Sequence, residues 1–76
     1  MKIREALMDT GLAEASYNSY TAFVTKMDGG YKFTIQHGNK PPKFTCSDIS
    51  LDKLEEQISS IGVKRPLDWN PVELEG

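Results

Sequence analysis

The chain has 76 residues, a formal net charge of −2 and one cysteine, and it is 38% hydrophobic and 26% charged. This length suits one domain with a small core, and a single cysteine excludes an intramolecular disulfide or a four-cysteine zinc site. We expect a cytoplasmic protein, because small extracellular domains are commonly stapled by disulfides. The opening MKIREALMDTG does not resemble a secretory signal, and no apolar run is long enough to span a membrane.

The first segment, residues 2–9, is predicted to be a short helix that ends near Gly11. Its apolar stripe consists of Ile3, Ala6 and Leu7. Helix-forming residues resume at 12–16, which predicts a second helical turn. The rhythm of IREALMDTGLAEASYNSY is also that of a helix-turn-helix, but the second segment lacks the basic side chains that a recognition helix needs. We therefore favour an amphipathic helix packed on a sheet.

Two strands joined by a tight turn are predicted next. Residues 19–27 are rich in β-branched and aromatic side chains, and the following YKFTIQH alternates apolar and polar residues. The DGG between them is a hairpin signal. A two-residue DG turn pairs Val24 with Phe33, whereas a three-residue DGG loop buries Phe23 and Met27. We favour the longer loop for that reason; a slip of one residue exchanges the two faces of the strand.

A third, short strand is predicted at residues 43–47. The preceding GNKPP contains two prolines, which interrupt strand pairing. In KFTCS, Phe44 and Cys46 alternate with polar residues and are expected to face the core. Cys46 is interpreted as a small buried hydrophobic residue and not as a reactive thiol.

The best-defined element is a helix that begins after Ser50, the expected N-cap. Ile49 is placed to form a hydrophobic staple with Leu54, and Gly62 is the expected C′ residue, with Val63 closing on the helix. The apolar stripe of this helix consists of Leu51, Leu54, Ile58 and Ile61. The stripe predicts packing against the sheet.

These elements predict an α+β fold, in which a three-stranded antiparallel meander is packed by an N-terminal and a C-terminal helix in the order α-β-β-β-α. Residues 1–65 form the compact domain in this scheme. Residues 66–76 form an extended tail, because Pro66 and Pro71 rule out a continuous helix.

No residue pattern predicts catalysis, so we expect a protein that is not an enzyme and that has no cofactor, metal or small-molecule substrate. His37 has no serine or cysteine partner recognisable by spacing. Glu55 and Glu56 are adjacent on a helix and diverge, so they do not form a catalytic pair. No cluster of histidines and carboxylates has the spacing of metal ligands.

A protein partner is the preferred functional hypothesis. Trp69 lies between two prolines, and tryptophan is enriched in interface hot spots, although the favoured interpretation of this residue is that it folds back to cap the core beneath the second helix. The outer face of the second helix is acidic, with Asp52, Glu55 and Glu56. The chain would then be a small adaptor or an inhibitor of the kind that phages and mobile elements encode.

Nucleic-acid binding is the alternative hypothesis. It uses a basic sheet face with one aromatic stacking surface, made of Lys26, Lys32, Lys40, Lys43 and Tyr31. Phosphate contacts from such lysines supply most non-specific affinity. Exposed strands at 19–27 or 43–47 also offer an edge through which a homodimer could form.

Overall fold

A computed structural model describes residues 1–63 and 67–73. These residues form two helices and one antiparallel sheet of five strands. The elements in chain order are α1 (Ile3–Ala6), β1 (Leu12–Tyr17), β2 (Tyr20–Met27), β3 (Gly30–Gln36), β4 (Phe44–Asp48), α2 (Leu51–Ser60) and β5 (Asn70–Pro71). The α+β class predicted from the sequence is therefore confirmed, but the sheet has two more strands than the predicted meander.

The sheet has the strand order β4-β3-β2-β1-β5. The connection between β2 and β3 is the two-residue turn, because Met27 pairs with Gly30 and Val24 with Phe33. The predicted three-residue loop is wrong. Phe23 consequently lies on the face opposite Val24, and Met27 is 52% exposed.

The segment predicted as a second helical turn is strand β1, so the helix-turn-helix hypothesis is also wrong. Alanine and glutamate favour helices in isolation, but Ala13 and Ala15 alternate with exposed Glu14 and Ser16 in the two-residue period of a strand. A two-residue turn then leads into β2, and Asn18 there has a φ of 53°, which asparagine tolerates. Pairing with β2 thus overrides the local helix propensity.

The two helices differ in length and in how they end. Helix α1 has only four residues, and it is followed by turns that reach Gly11, whose φ is 75°. Helix α2 begins as predicted at Ser50, whose hydroxyl accepts a hydrogen bond from the Lys53 amide at 3.4 Å. It ends at Ser60, with Ile61 as the C-cap and Gly62, whose φ is 102°, at the predicted C′ position. The predicted staple is not formed, because Ile49 is 77% exposed.

One face of the sheet, which we call the covered face, carries both helices. Its central side chains are all buried: Ala13, Ala15, Ala22, Val24, Phe33 and Ile35. They pack against buried residues of the helices and of the segments after α2: Ile3, Ala6, Leu7, Leu51, Leu54, Ile58, Val63 and Trp69. Trp69 is 5% exposed and belongs to this cluster, so it completes the core instead of standing at the surface.

The opposite face, which we call the open face, is covered by no helix or strand among the described residues. Strand alternation assigns to it the side chains of Leu12, Glu14, Ser16, Thr21, Phe23, Thr25, Lys32, Thr34, Gln36, Thr45 and Ser47. All of them are at least partly exposed. The molecule is therefore two layers thick, with one layer of helix and one of sheet.

The C-terminal segment is ordered against the sheet where it is described. The Trp69 amide donates to the Met1 carbonyl at 3.0 Å, and the Val72 amide donates to the Leu12 carbonyl at 2.9 Å. Two residues, Asn70 and Pro71, form β5 beside β1. The predicted boundary at residue 65 and the end of the tail lie outside the described residues. No helix among those described is long and apolar enough to cross a membrane.

Candidate protein-binding groove

A groove of about 800 Å³ lies where the N-terminal segment, the first turns of α2 and residues 67–69 meet. Met1, Ile3, Leu67 and Trp69 contribute its apolar side chains. These residues come together because α1 and Trp69 pack on neighbouring parts of the covered face, and α2 lies beside them. The groove is thus assembled from three segments that are distant in sequence.

Charged side chains line this groove, four of them acidic and two basic. The acids are Glu5, Asp52, Glu55 and Asp68, and the bases are Lys2 and Arg4. Arg4 Nη2 lies 3.4 Å from Asp52 Oδ1, and the Met1 amine is paired with Asp68. Among the described residues Glu5 and Glu55 make no ion pair. The side chains of Asp52 and Asp68 are 82% and 84% exposed, so these carboxylates stand in solvent.

The residues predicted to bind a protein partner are only partly brought together. Asp52 and Glu55 line the groove, and Trp69 contributes to it from the core side, but Glu56 does not line it. Trp69 is 5% exposed, so it folds back onto the core and is not a projecting anchor.

Sequence reasoning missed the contributions of Glu5 and Leu67 to this groove. Glu5 is one residue outside the buried stripe of α1, which was a signal that it faces solvent. No local pattern indicates that this helix lies next to α2. The groove therefore becomes visible only from long-range packing.

The four lysines of the nucleic-acid hypothesis do not share a face. Lys32 pairs with Thr25 and lies on the open face, whereas Lys26, the next residue on β2, points to the opposite face. Lys40 lies in the loop before β4, where its amide donates to the His37 carbonyl at 3.2 Å. The basic sheet face that this hypothesis requires is absent from the described residues.

Lys43 is held at the far end of the covered face by Tyr20. Its Nζ donates to the Tyr20 hydroxyl at 2.9 Å and lies 5.2 Å from the centre of that ring. The hydrogen bond to Tyr20 raises the pKa of Lys43 above its ordinary value. Together with Tyr17, Phe44 and other apolar residues, this pair lines a hollow of about 230 Å³. Tyr31, the predicted stacking residue, is half-buried against the core.

The two side chains with the greatest chemical reactivity, His37 and Cys46, both make contacts typical of structural residues. The His37 ring is exposed and meets the Tyr20 ring edge-on, with 5.6 Å between the ring centres. Cys46 is half-buried against the core, and burial, followed by the charge of Asp48, raises the pKa of its thiol. A raised pKa keeps the thiol protonated at neutral pH, and the thiolate is the nucleophilic form.

Among residues 1–63 and 67–73, no three histidine, cysteine, aspartate or glutamate side chains are placed to hold a metal ion. Comparison with protein-family models found no match for this chain. Neither a curated protein nor a solved structure is significantly similar to it. A functional assignment consequently depends on the geometry of its surfaces.

Proposed function

We propose that the chain is a non-enzymatic binding module that engages a protein partner through the groove between α1, α2 and residues 67–69. The observation that carries this proposal is the convergence of three chain segments on one groove with apolar walls and four carboxylates, two of which make no ion pair among the described residues. The partner we infer is a protein segment that presents a lysine or arginine beside an apolar side chain.

The charges of the groove support a basic partner. Glu5 and Glu55 are exposed and unpaired within the described residues, so each would attract a cationic side chain that enters the groove. Such charges chiefly set the association rate and the choice of partner. Leu67, which is half-buried, offers the adjacent apolar contact. The exposed rim suits a macromolecule better than a small ligand, since small-ligand pockets enclose most of the ligand surface.

The chain offers a matched pair of variants for testing this proposal. Glu55→Lys reverses a charge in the groove, whereas Glu56→Lys makes the same change on the same helix outside the groove. Both residues are exposed, so neither change should alter folding. Wild type and both variants would be used as baits in nuclease-treated lysate of the native host, and bound proteins quantified by mass spectrometry.

We expect one protein to be retained by wild type and Glu56→Lys and reduced at least about tenfold with Glu55→Lys, since reversal of one charge turns attraction into repulsion. Equal retention by all three baits would contradict the groove as the binding surface. In a parallel pull-down from untreated lysate, a bound fraction that disappears on nuclease treatment and with Lys32→Glu would support the nucleic-acid alternative instead.

A further inference from the structure

We propose that two copies of the chain associate through their open faces, with Glu14 of each copy opposite Lys32 of the other. This inference concerns the surface opposite the groove and goes beyond the proposed function. A dimer of this kind leaves both grooves exposed on its outer sides.

The open face has the composition of a weak interface. Phe23 lies at its centre on β2, paired with Glu14 of β1 and Thr34 of β3. Four threonines surround it, and their methyl and hydroxyl groups form a flat surface. They are Thr21, Thr25, Thr34 and Thr45. At one end of the same sheet are two exposed apolar residues, Met27 at 52% and Ile49 at 77%. Gly30 lies near both, because it pairs with Met27 and a Cβ placed on it would come within 3.1 Å of Ile49 Cα.

The charges of this face complement each other between copies. The central rows of the face carry one acid, Glu14, and one base, Lys32, both exposed. Glu14 is on β1 and Lys32 is on β3, one strand to either side of Phe23 and one cross-strand row apart. Within one chain the positions of Glu14 and Lys32 are separated by two strand spacings of about 4.8 Å and by two residues with a rise of about 3.4 Å each. The distance between them is therefore about 12 Å, and the two side chains cannot pair directly.

A two-fold axis resolves this separation. The axis lies midway between the two facing sheets and parallel to them. It crosses β2 between Phe23 and Thr25, at right angles to the line that joins Glu14 and Lys32. It therefore places Glu14 of one copy opposite Lys32 of the other. Each dimer then has two Glu14–Lys32 pairs, with the two Phe23 rings near the axis, as an isologous interface requires. The strands of the two sheets cross at about 70°, near the orthogonal class of sheet packing.

The sheet edges offer much less for self-association. One edge is the two-residue β5, which contains a proline. Strand β2, predicted as an exposed strand, is central, so it cannot pair with another copy. The other edge is β4. The hydrogen bond from the Lys26 amide to the Gly11 carbonyl fixes which backbone groups of each strand face which neighbour. Carried across the sheet through the strand register, this alternation leaves only the backbone N–H and C=O groups of Thr45 and Ser47 pointing away from the sheet.

Strand β4 is further protected as an edge. The Ser47 carbonyl is contacted by Gln57 Nε2 at 3.4 Å. The Lys43 amide donates to the carbonyl of Ile35, which also pairs with Phe44, and this places a bulge at the start of the strand. Bulges and short edge strands are devices that prevent edge-to-edge pairing.

The size of the face predicts a weak dimer. Four strands and five residues along each give a flat area of about 19 Å by 17 Å. This area is less than half of the roughly 800 Å² that each partner buries in a standard interface. Self-association should therefore be detectable only at high protein concentration.

The test is a charge swap measured by sedimentation equilibrium. The proteins are wild type, Lys32→Glu, Glu14→Lys and the double variant that carries both changes. Each single change creates two like-charge contacts per dimer and should weaken association at least about tenfold. The double variant restores both pairs and should return to within about threefold of wild type. Circular dichroism confirms folding, and all four proteins should unfold alike because both residues are exposed.

Three outcomes would overturn the proposal. One is a wild type that stays monomeric up to about 1 mM, a concentration that would reveal binding as weak as −4.1 kcal/mol. Another is a failed charge swap, in which the dimer either tolerates both single changes or is not restored in the double variant. The third is a dimer lost with Thr45→Pro, which blocks pairing at the β4 edge, but retained with Lys32→Glu.

Discussion

Ala22 and Phe23 are neighbours on β2, and they exemplify how the two faces of the sheet differ. The small residue is completely buried, whereas the large aromatic one is partly exposed. Alanine suits the covered face because the helices and Trp69 pack into one core cluster with it. Phenylalanine stands on a face that no described element covers. Residue hydrophobicity alone therefore does not identify the interior face of this sheet; the volume contributed by the opposing layer does.

The largest expected effect comes from truncating the same side chain on each face. Phe33→Ala removes a ring that is 0% exposed and should destabilise the fold by about 3–5 kcal/mol. Phe23→Ala removes a partly solvated ring from the adjacent strand and should cost about 1 kcal/mol in the monomer. Urea unfolding at low protein concentration measures both. Equal losses would show that the open face is covered in solution.

The reverse change, enlargement of a small side chain, should also separate the faces. Ala22→Leu inserts three carbons into a filled core and should cost about 1–3 kcal/mol through overpacking. Thr21→Leu, at the adjacent position on the open face, should stay within about 0.5 kcal/mol of wild type. Thermal unfolding distinguishes them. A neutral Ala22→Leu would reveal an unfilled space in the core beside Ala22.

A smaller effect is expected where β3 approaches β4. A Cβ at Gly30 would lie 2.5 Å from the Asp48 carbonyl oxygen, and backbone cannot yield as a side chain does. Gly30→Ala should therefore destabilise the protein by about 1–2 kcal/mol. Its control is Gly29→Asn, since a Cβ at Gly29 meets no atom within 4 Å and asparagine is among the residues least strained by a positive φ such as the 84° found there. A Gly30→Ala protein as stable as the control would contradict the close approach of the two strands.

The smallest effect is kinetic and compares adjacent positions on β4. Burial raises the pKa of the Cys46 thiol above its ordinary 9.0, so alkylation by iodoacetamide at pH 7–8 should be slow and should accelerate only above that range. The proton on Cys46 favours the folded state at neutral pH, and this contribution is lost as the pH rises through the raised pKa.

The control for this experiment carries Ser47→Cys and Cys46→Ala, which moves the thiol to the exposed open face. It should react several-fold faster at the same pH, because the exposed thiol has a larger thiolate fraction and better access. Mass spectrometry follows both reactions. Faster alkylation of wild type than of this control would mean that Cys46 is an activated thiol.

The limits of sequence reasoning follow from the range of the interactions. Helix α2 was predictable because its cap, apolar stripe and terminal glycine are all local signals. Strand β1 was missed because Ala13, Glu14 and Ala15 favour helix unless β2 pairs with them. The short turn at Asp28 was misjudged because burying Phe23 was assumed to be favourable. Strand β5 has two residues, too few for any periodicity.

The range of the interactions also explains which residues of the groove could be predicted from the sequence. Asp52 and Glu55 were identified because their charge and their place on an amphipathic helix are visible in the sequence. Trp69 was correctly considered as a core residue, but its neighbours were not known. The distribution of the lysines over both faces follows from the register, which one residue in the turn decides.

The most direct test of the account is a concentration series of ¹H–¹⁵N spectra of the wild-type protein, from about 20 µM to about 1 mM, the range in which weak association is populated. We expect shifts that grow with concentration and map to the open face, centred on Phe23, Glu14 and Lys32, while the covered face and the groove stay unchanged. Spectra that do not vary over this range, or shifts confined to the outer edge of β4, would contradict it.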